Sequence, residues 1–275
     1  MSDGAVTKMH FTKMNGAGND FVVMDNRDGS LVLSRAAIER LCDRHRGVGA
    51  DGLLLVEPAR AGADFRMRYF NADGGEADMC GNGARCFARF AARLLSGQPK
   101  ALSFETPAGL IRARLTGNLV IITMSEPRDL REPADLEVDG LGICRVHFLD
   151  TGVPHAVVFV ADVAAVDLAK SGASLRRNPA FAPQGANANF AQILAPGTLV
   201  LRTFERGVEG ETLACGTGVC AAAILHHLAT EAPSPISVRV RGCETLEVDF
   251  EASGPLKNVT LTGPAEFVFD GKIDI

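Results

Sequence analysis

Two cysteines lie in matching surroundings. Residues 75–83 read G-E-A-D-M-C-G-N-G and residues 210–218 read G-E-T-L-A-C-G-T-G, so both fit G-E-x-x-x-C-G-x-G. From Cys80 to Cys215 is 135 residues. A Cys followed by G-x-G fits the start of a helix. The first N–H groups of a helix lack internal partners and, with the macrodipole, stabilise negative charge. A thiol placed there is a stronger acid than a free one. The neighbouring glycines let a ligand approach the backbone. The same N–H groups could grip a carboxylate. One copy offers a nucleophile or base beside an anion cradle; two copies offer two thiols, expected to face each other.

Several chemistries use thiols. Attack on a carbonyl needs only one Cys and a His. A redox pair or a zinc site favours C-x-x-C, whereas the spacings here are C-x5-C (Cys80, Cys86) and C-x4-C (Cys215, Cys220). His226 and His227 are adjacent, which a helical metal site would not choose. Inversion of a stereocentre uses both thiols: one removes a proton from one face of a carbon while the other delivers a proton to the opposite face. No metal and no cofactor are expected. There is no phosphate-binding G-x-x-x-x-G-K-[ST] loop. Gly16-Ala17-Gly18-Asn19-Asp20-Phe21 lacks the third glycine of a dinucleotide fingerprint and precedes a strand. No Lys lies near either Cys segment to hold a pyridoxal group.

The elements that must position these thiols are also written twice. At the same offset, Phe70-Asn71 falls on Glu205-Arg206, Asp51-Gly52 on Ala186-Asn187, and Asn19-Asp20 on Pro154-His155. One residue is lost downstream. Phe87, Phe90, Ala91, Leu94 and Leu95 then match Ala221, Ile224, Leu225, Leu228 and Ala229, both sets at the spacing of a buried helix face. Alternation predicts strands at Phe65–Phe70 and Leu199–Phe204, and apolar runs predict more at 53–56, 120–122, 157–160 and 267–269. A boundary is expected in the charged stretch 127–140 and an exposed loop at 172–184. Chance among 29 glycines could yield one short match; several separated matches at one offset argue for duplication.

Composition agrees. The chain has 275 residues, room for about two domains at roughly 150 each. With 47% hydrophobic and 22% charged residues it can pack a core. A net charge of −5, no Trp and one Tyr argue against nucleic-acid partners. No apolar run approaches the ~18 residues of a membrane span. The first ten residues lack a signal-peptide core, so the chain reads as cytoplasmic, with reduced thiols.

These residues resemble the diaminopimelate epimerase family, within the cofactor-independent amino-acid racemases. The matching stretches are 11–21, 46–51, 70–76, 80–86, 152–155, 187–190 and 205–218, in the family's order. The resemblance implies an α/β (α+β) fold of two pseudo-symmetric domains, each a curved mixed sheet around a central helix. The halves would be 1–126 and 127–263, with strand 264–275 returning to the first. The resemblance implies epimerisation of LL- to meso-diaminopimelate, on the route to lysine and peptidoglycan, with Cys80 and Cys215 as acid and base. Gly81, Asn82, Gly216 and Thr217 would hold the α-carboxylate. Asn19, Asn71, Asn187, Glu205 and Arg206 would grip substrate, and His155 and Glu205 would tune the thiols. The partner is a small amino acid, and a homodimer is suggested.

Two positions depart from the family's pattern: many members have Asn at Val153 and some have Gln at Gly52. A Val cannot supply an amide's hydrogen bonds, so a water, another side chain or a different substrate range is implied. A racemase for another amino acid is therefore one alternative; a thiol redox or ligand-binding protein is another. Structural readings also stand: Asn71 and Asn187 as turn residues, His155 as a core imidazole, Arg206 as a surface charge paired with Glu205. Cys42, Cys86, Cys144, Cys220 and Cys243 are expected to be structural, and Asn15 and Asp20 turn-forming.

Overall fold

The computed structural model describes residues 8–274. The opening segment, read above as lacking a signal core, lies mostly outside the described residues, as does Ile275. The chain divides into two compact units. One runs through Ile122 and resumes at Pro264; the other is Thr123–Gly263.

The first unit holds β1 (Lys8–Gly16), β2 (Asn19–Asp25), α1 (Arg35–Cys42), β3 (Gly52–Glu57), β4 (Phe65–Asn71), β5 (Glu76–Ala77), α2 (Gly81–Arg93), β6 (Ala101–Thr106), β7 (Gly109–Thr116) and β8 (Leu119–Thr123). The second holds β9 (Arg128–Val138), β10 (Gly142–Asp150), β11 (Pro154–Phe159), α3 (Leu168–Arg176), β12 (Asn187–Ala195), β13 (Thr198–Glu205), β14 (Gly210–Thr212), α4 (Gly216–Thr230), β15 (Ile236–Arg239), β16 (Thr245–Glu251) and β17 (Lys257–Pro264). The final strand, β18 (Glu266–Asp274), pairs with β1 in the first unit.

Strand pairing repeats. In the first unit the order is β18-β1-β2-β3-β4-β6-β7-β8, with β5 also on β4; β2–β3 and β4–β6 are parallel and the rest antiparallel. In the second it is β9-β10-β11-β12-β13-β15-β16-β17, with β14 on β13; β11–β12 and β13–β15 are the parallel pairs. β18 thus takes in one unit the place that β9 takes in the other. This is the mixed-sheet α+β fold expected.

The run Leu53–Val56 is apolar throughout because β3 is covered on both faces. One face, with Val22, Leu53, Leu55 and Phe70, packs on α1 through Ile38 and Leu41. The other meets α2, where Leu54 and Phe21 lie against Gly83. α2 touches β1, β2, β3, β4, β6 and β7, and α4 touches β10, β11, β12, β13, β15 and β16. α4, enclosed in this way, is apolar nearly all round, whereas α2 carries Arg85, Arg89 and Arg93. Residues 81–88 of α2 are all buried, as are 218–226 of α4.

Two expectations need correction. The boundary expected in 127–140 falls just before it, between Ile122 and Thr123, and residues 128–138 form β9, paired with β10 along one side. Its charges and Pro133 suit an exposed edge strand, and the register shifts beside Pro133, between Ala134 and Arg131. The segment 172–184 begins inside α3. There Gly172 is a packing requirement, since a Cβ would fall 2.6 Å from Phe204 Cβ; a 3-10 turn follows at Pro179–Phe181.

Candidate active site

In the first unit Cys80 is the N-cap of α2, with φ −139° and ψ 120°, and its Sγ accepts from the Gly83 N–H at 3.4 Å. Gly81 and Asn82 open the helix and are buried. A chain of oriented amides runs back from this turn. The Arg85 guanidinium, fully buried, donates to Asn82 Oδ1 at 2.8 Å. Asn82 Nδ2 donates to Asn19 Oδ1 at 2.7 Å, and Asn19 Nδ2 donates to Asp51 Oδ2 at 2.8 Å. Both ends of the chain are charged, so the direction of each amide is set. Asn82 can therefore address a ligand at the helix start through its backbone N–H; its side-chain oxygen is already engaged.

Behind Asn19 lies an ion cluster. Asp20 pairs with Lys13 at 2.7 Å and Arg44 at 2.8 Å, and Arg44 also reaches Asp51 at 2.8 Å. Burial alone would raise the Asp20 carboxyl, but hydrogen bonds and charge from Arg44 and Lys13 outweigh it and hold it at about 2. Asp20 is a strand residue at the centre of charges, not the turn-former expected. Asn15 does form a turn: its Oδ1 accepts from the Gly18 N–H at 3.1 Å. Asn71 ends β4, exposed, directly opposite Gly52.

In the second unit Cys215 is the N-cap of α4, with φ −120° and ψ 106°. It is buried, and its Sγ lies 3.5 Å from Thr217 Oγ1. The Thr217 carbonyl accepts from Thr151 Oγ1 at 2.8 Å. Glu205 ends β13. Burial pushes its carboxyl up, opposed by the neighbouring Thr212 and Cys215 side chains. Asn187 opens β12, buried, and its Oδ1 accepts the Arg206 N–H at 2.7 Å. Asn187 therefore fixes the chain that carries Arg206. Among the described residues the Arg206 guanidinium has no carboxylate partner, so it is not paired with Glu205.

His155 is fully buried in β11. Burial and the Arg206 charge push its imidazole down to about 3, so it is neutral near pH 7. Its Nδ1 lies 3.1 Å from Asn189 Nδ2, while Nε2 is buried with no hydrogen-bond partner. With Nδ1 accepting, the proton sits on Nε2. Any influence on a thiol is that of a neutral ring. Val153, in the loop before β11, offers only its backbone carbonyl, which accepts from the Thr151 N–H at 3.2 Å.

Reading the sequence missed four polar residues here. Asn189 is fully buried; besides His155 it meets the Ala156 and Asn187 carbonyls at 3.1 Å, and its Oδ1 accepts from Thr203 Oγ1 at 2.9 Å. Its place two residues after Asn187, on the same face of a strand, was the available signal. Arg85, Thr151 and Tyr69 are the others; Tyr69 is the chain's one tyrosine. Of the five cysteines read as structural, Cys42, Cys86 and Cys220 are buried, with burial pushing Cys42 to about 11 and Cys86 to about 12. Cys243 is exposed in a turn at φ +73° and packs in no core.

Each unit thus presents a thiol at the N-terminus of an enclosed helix, flanked by oriented amides or a cation. No helix among the described residues is long and apolar enough to cross a membrane, and none of their His, Cys, Asp and Glu side chains cluster as a metal site would require. The sequence profile of diaminopimelate epimerase matches residues 11–128 and 147–268. Diaminopimelate epimerase of Chlorobaculum tepidum is 43% identical over 95% of this chain and 100% of its own. That of Aromatoleum aromaticum is 44% identical, over 97% and 99%. Among solved structures, a phenazine biosynthesis protein of the PhzF family from Bacillus anthracis has a TM-score of 0.74 at 17% identity, covering 98% of this chain and 100% of that one. A hydroxyproline epimerase from Agrobacterium vitis has a TM-score of 0.73 at 17% identity, over 98% and 93%. These two share the fold. The near-complete sequence matches go further: the chain belongs to the diaminopimelate epimerase family.

Proposed function

We propose that this protein is an isomerase that interconverts LL- and meso-diaminopimelate, supplying lysine and peptidoglycan precursors, without pyridoxal phosphate or metal. Cys80 and Cys215 are the acid and base: one takes the α-proton as thiolate, the other delivers a proton to the opposite face, and the roles exchange for the reverse reaction. The observation that carries this reading is that both cysteines stand at the N-cap position of an enclosed helix, in two units of one topology. The N–H groups of Gly81-Asn82 and Gly216-Thr217 hold the α-carboxylate, and the Arg206 guanidinium is available as a carboxylate clamp. Asn19 and Asn71 contact substrate polar groups; Asn187 and Glu205 support Arg206 and Cys215; neutral His155 tunes the site.

An α-hydrogen is far less acidic than a thiol, so basicity alone cannot set the rate. Two helix dipoles aimed at the carboxylate stabilise the developing carbanion, and exclusion of water strengthens them. The two halves 1–126 with 264–275 and 127–263 are read as products of one duplication. A reducing cytoplasm keeps the thiols available, and a homodimer is the expected assembly.

The test is incubation of the pure protein with LL-diaminopimelate in D₂O, with no cofactor. Meso product carrying deuterium at one α-carbon is expected. Absence of both exchange and product refutes the function. A panel of other amino acids run alongside addresses the departure at Val153, and full epimerisation by Cys80→Ala or Cys215→Ala would remove the two-base mechanism.

A further inference from the structure

Tyr69 and Gly52 flank the strand pair that carries Asn71. Side chains alternate across a strand, so Tyr69 and Asn71 share a face of β4. It is the face of Met67 and Tyr69, both buried, while Phe70 turns to the α1 side. The Tyr69 hydroxyl donates to Asn71 Oδ1 at 2.6 Å. The ring packs edge-on against Phe21, with centroids 6.1 Å apart. It also occupies the space over Gly52. A Cβ there would fall 2.7 Å from Tyr69 Cε2 and 2.5 Å from the Phe70 carbonyl oxygen. The nearer of the two is main chain, so Gly52 is required whatever stands at 69, and the Tyr69 ring fills the space beside it.

The second unit holds the equivalent position differently. At the repeat offset, Gly52 corresponds to Asn187 and Asn71 to Arg206. There the Asn187 side chain reaches across to the Arg206 N–H at 2.7 Å. In the first unit Gly52 has no side chain to reach with, and the tether comes along β4 from Tyr69.

We propose that Tyr69 is a positioning residue of the substrate site. In the observed pairing its hydroxyl donates to the Asn71 carboxamide oxygen, which leaves the two N–H donors for substrate. Position 71 then offers only donors, which select an acceptor on the substrate: a carboxylate oxygen. An amide free to flip would present oxygen or nitrogen and would lose that selectivity. The inference rests on the reading that Asn71 contacts substrate.

Tyr69→Phe removes the hydroxyl and keeps the ring over Gly52. The expected result is a KM for diaminopimelate raised about 3–10-fold, the worth of one hydrogen bond, with kcat within about twofold and an unchanged thermal midpoint. Asn71→Ala raises KM at least as much, and the double variant goes no further than Asn71→Ala alone. Unchanged KM in Tyr69→Phe, or fully additive effects in the double variant, would overturn the proposal. If the wild type epimerises nothing, the proposed function fails and the Asn71 side-chain amide resonances still decide this point. Broadening or averaging in Tyr69→Phe supports the tether; identical ordering in both proteins refutes it.

Discussion

Asp20→Asn tests whether the ion cluster behind Asn19 has the strength its geometry implies. The Asp20 carboxyl is held at about 2 against an ordinary 3.8, and its side chain is only 18% exposed. At about 1.36 kcal/mol per pKa unit, that difference corresponds to roughly 2 kcal/mol of stability at pH 7. The sign follows from the depressed value. Between pH 3.8 and about 2 the unfolded chain binds a proton that the folded chain does not. The contribution is therefore complete above about pH 5 and is lost as pH falls; about half is gone by pH 3. The variant also leaves Lys13, whose side chain is 9% exposed, without its carboxylate partner, which adds to the cost. The predicted gap between wild type and variant is then at least about 2 kcal/mol at pH 7, narrowing by about 1 kcal/mol at pH 3. Urea unfolding followed by circular dichroism measures the gap at each pH, and carbon-13 titration of the Asp20 carboxyl measures the cause directly. A carboxyl that titrates near 3.8, or a gap that does not narrow with acid, refutes the reasoning.

Two other outcomes follow from packing and burial. Gly16→Ala places a Cβ 2.7 Å from the Asn82 carbonyl oxygen and 2.9 Å from Cys86 Sγ, so the start of α2 must shift. A loss of about 1–3 kcal/mol in unfolding free energy and a fall in kcat are expected, and an unchanged melting midpoint would count against this contact. In nitrogen-15 spectra the His155 ring stays neutral from pH 8 to pH 5, because it is held near 3. The unfolded chain takes up a proton below pH 6.5 that the folded chain refuses, so His155 costs stability as the solution is acidified; titration of the folded ring near 6.5 would refute this.

The repeated motif, the two apolar helices and most strands were legible because each follows from local spacing. Cys80 and Cys215 are helix caps as their surroundings imply. The edge strand β9 was not legible: its charges and Pro133 read as a boundary segment, and only pairing with β10 makes them an exposed strand. α3 was hidden by Gly172, a residue set by Phe204, more than thirty positions away. In the site, candidate side chains were visible as residue types but their direction was not. That Asn187 holds the Arg206 backbone depends on tertiary pairing that no spacing encodes, whereas Asn82 faces Arg85 at the i, i+3 spacing of a single helix. Tyr69 was read only as a scarce aromatic on an alternating strand, since its hydroxyl contact with Asn71 is a matter of side-chain direction.

The two copies agree where the backbone acts and differ where side chains act. Both helices begin with a Cys cap followed by Gly-x-Gly, so the main-chain donors and dipoles are common to the two halves. On the proposed two-thiol mechanism, exchange of proton donor and acceptor across one carbon needs this equality, because either thiol would serve in either direction. A substrate with distinguishable substituents needs the opposite. The first motif carries one extra residue, and Arg85 stands in it; C-G-T-G-V-C has no cation there. That buried guanidinium is spent on carbonyls and the Asn82 amide, leaving the first unit to present amides at Asn19 and Asn71. The second unit instead presents Arg206, whose charge is not consumed by a carboxylate among the described residues. These side chains can differ between the units without cost to the fold, whereas the helix N–H donors belong to the main chain that the fold itself sets.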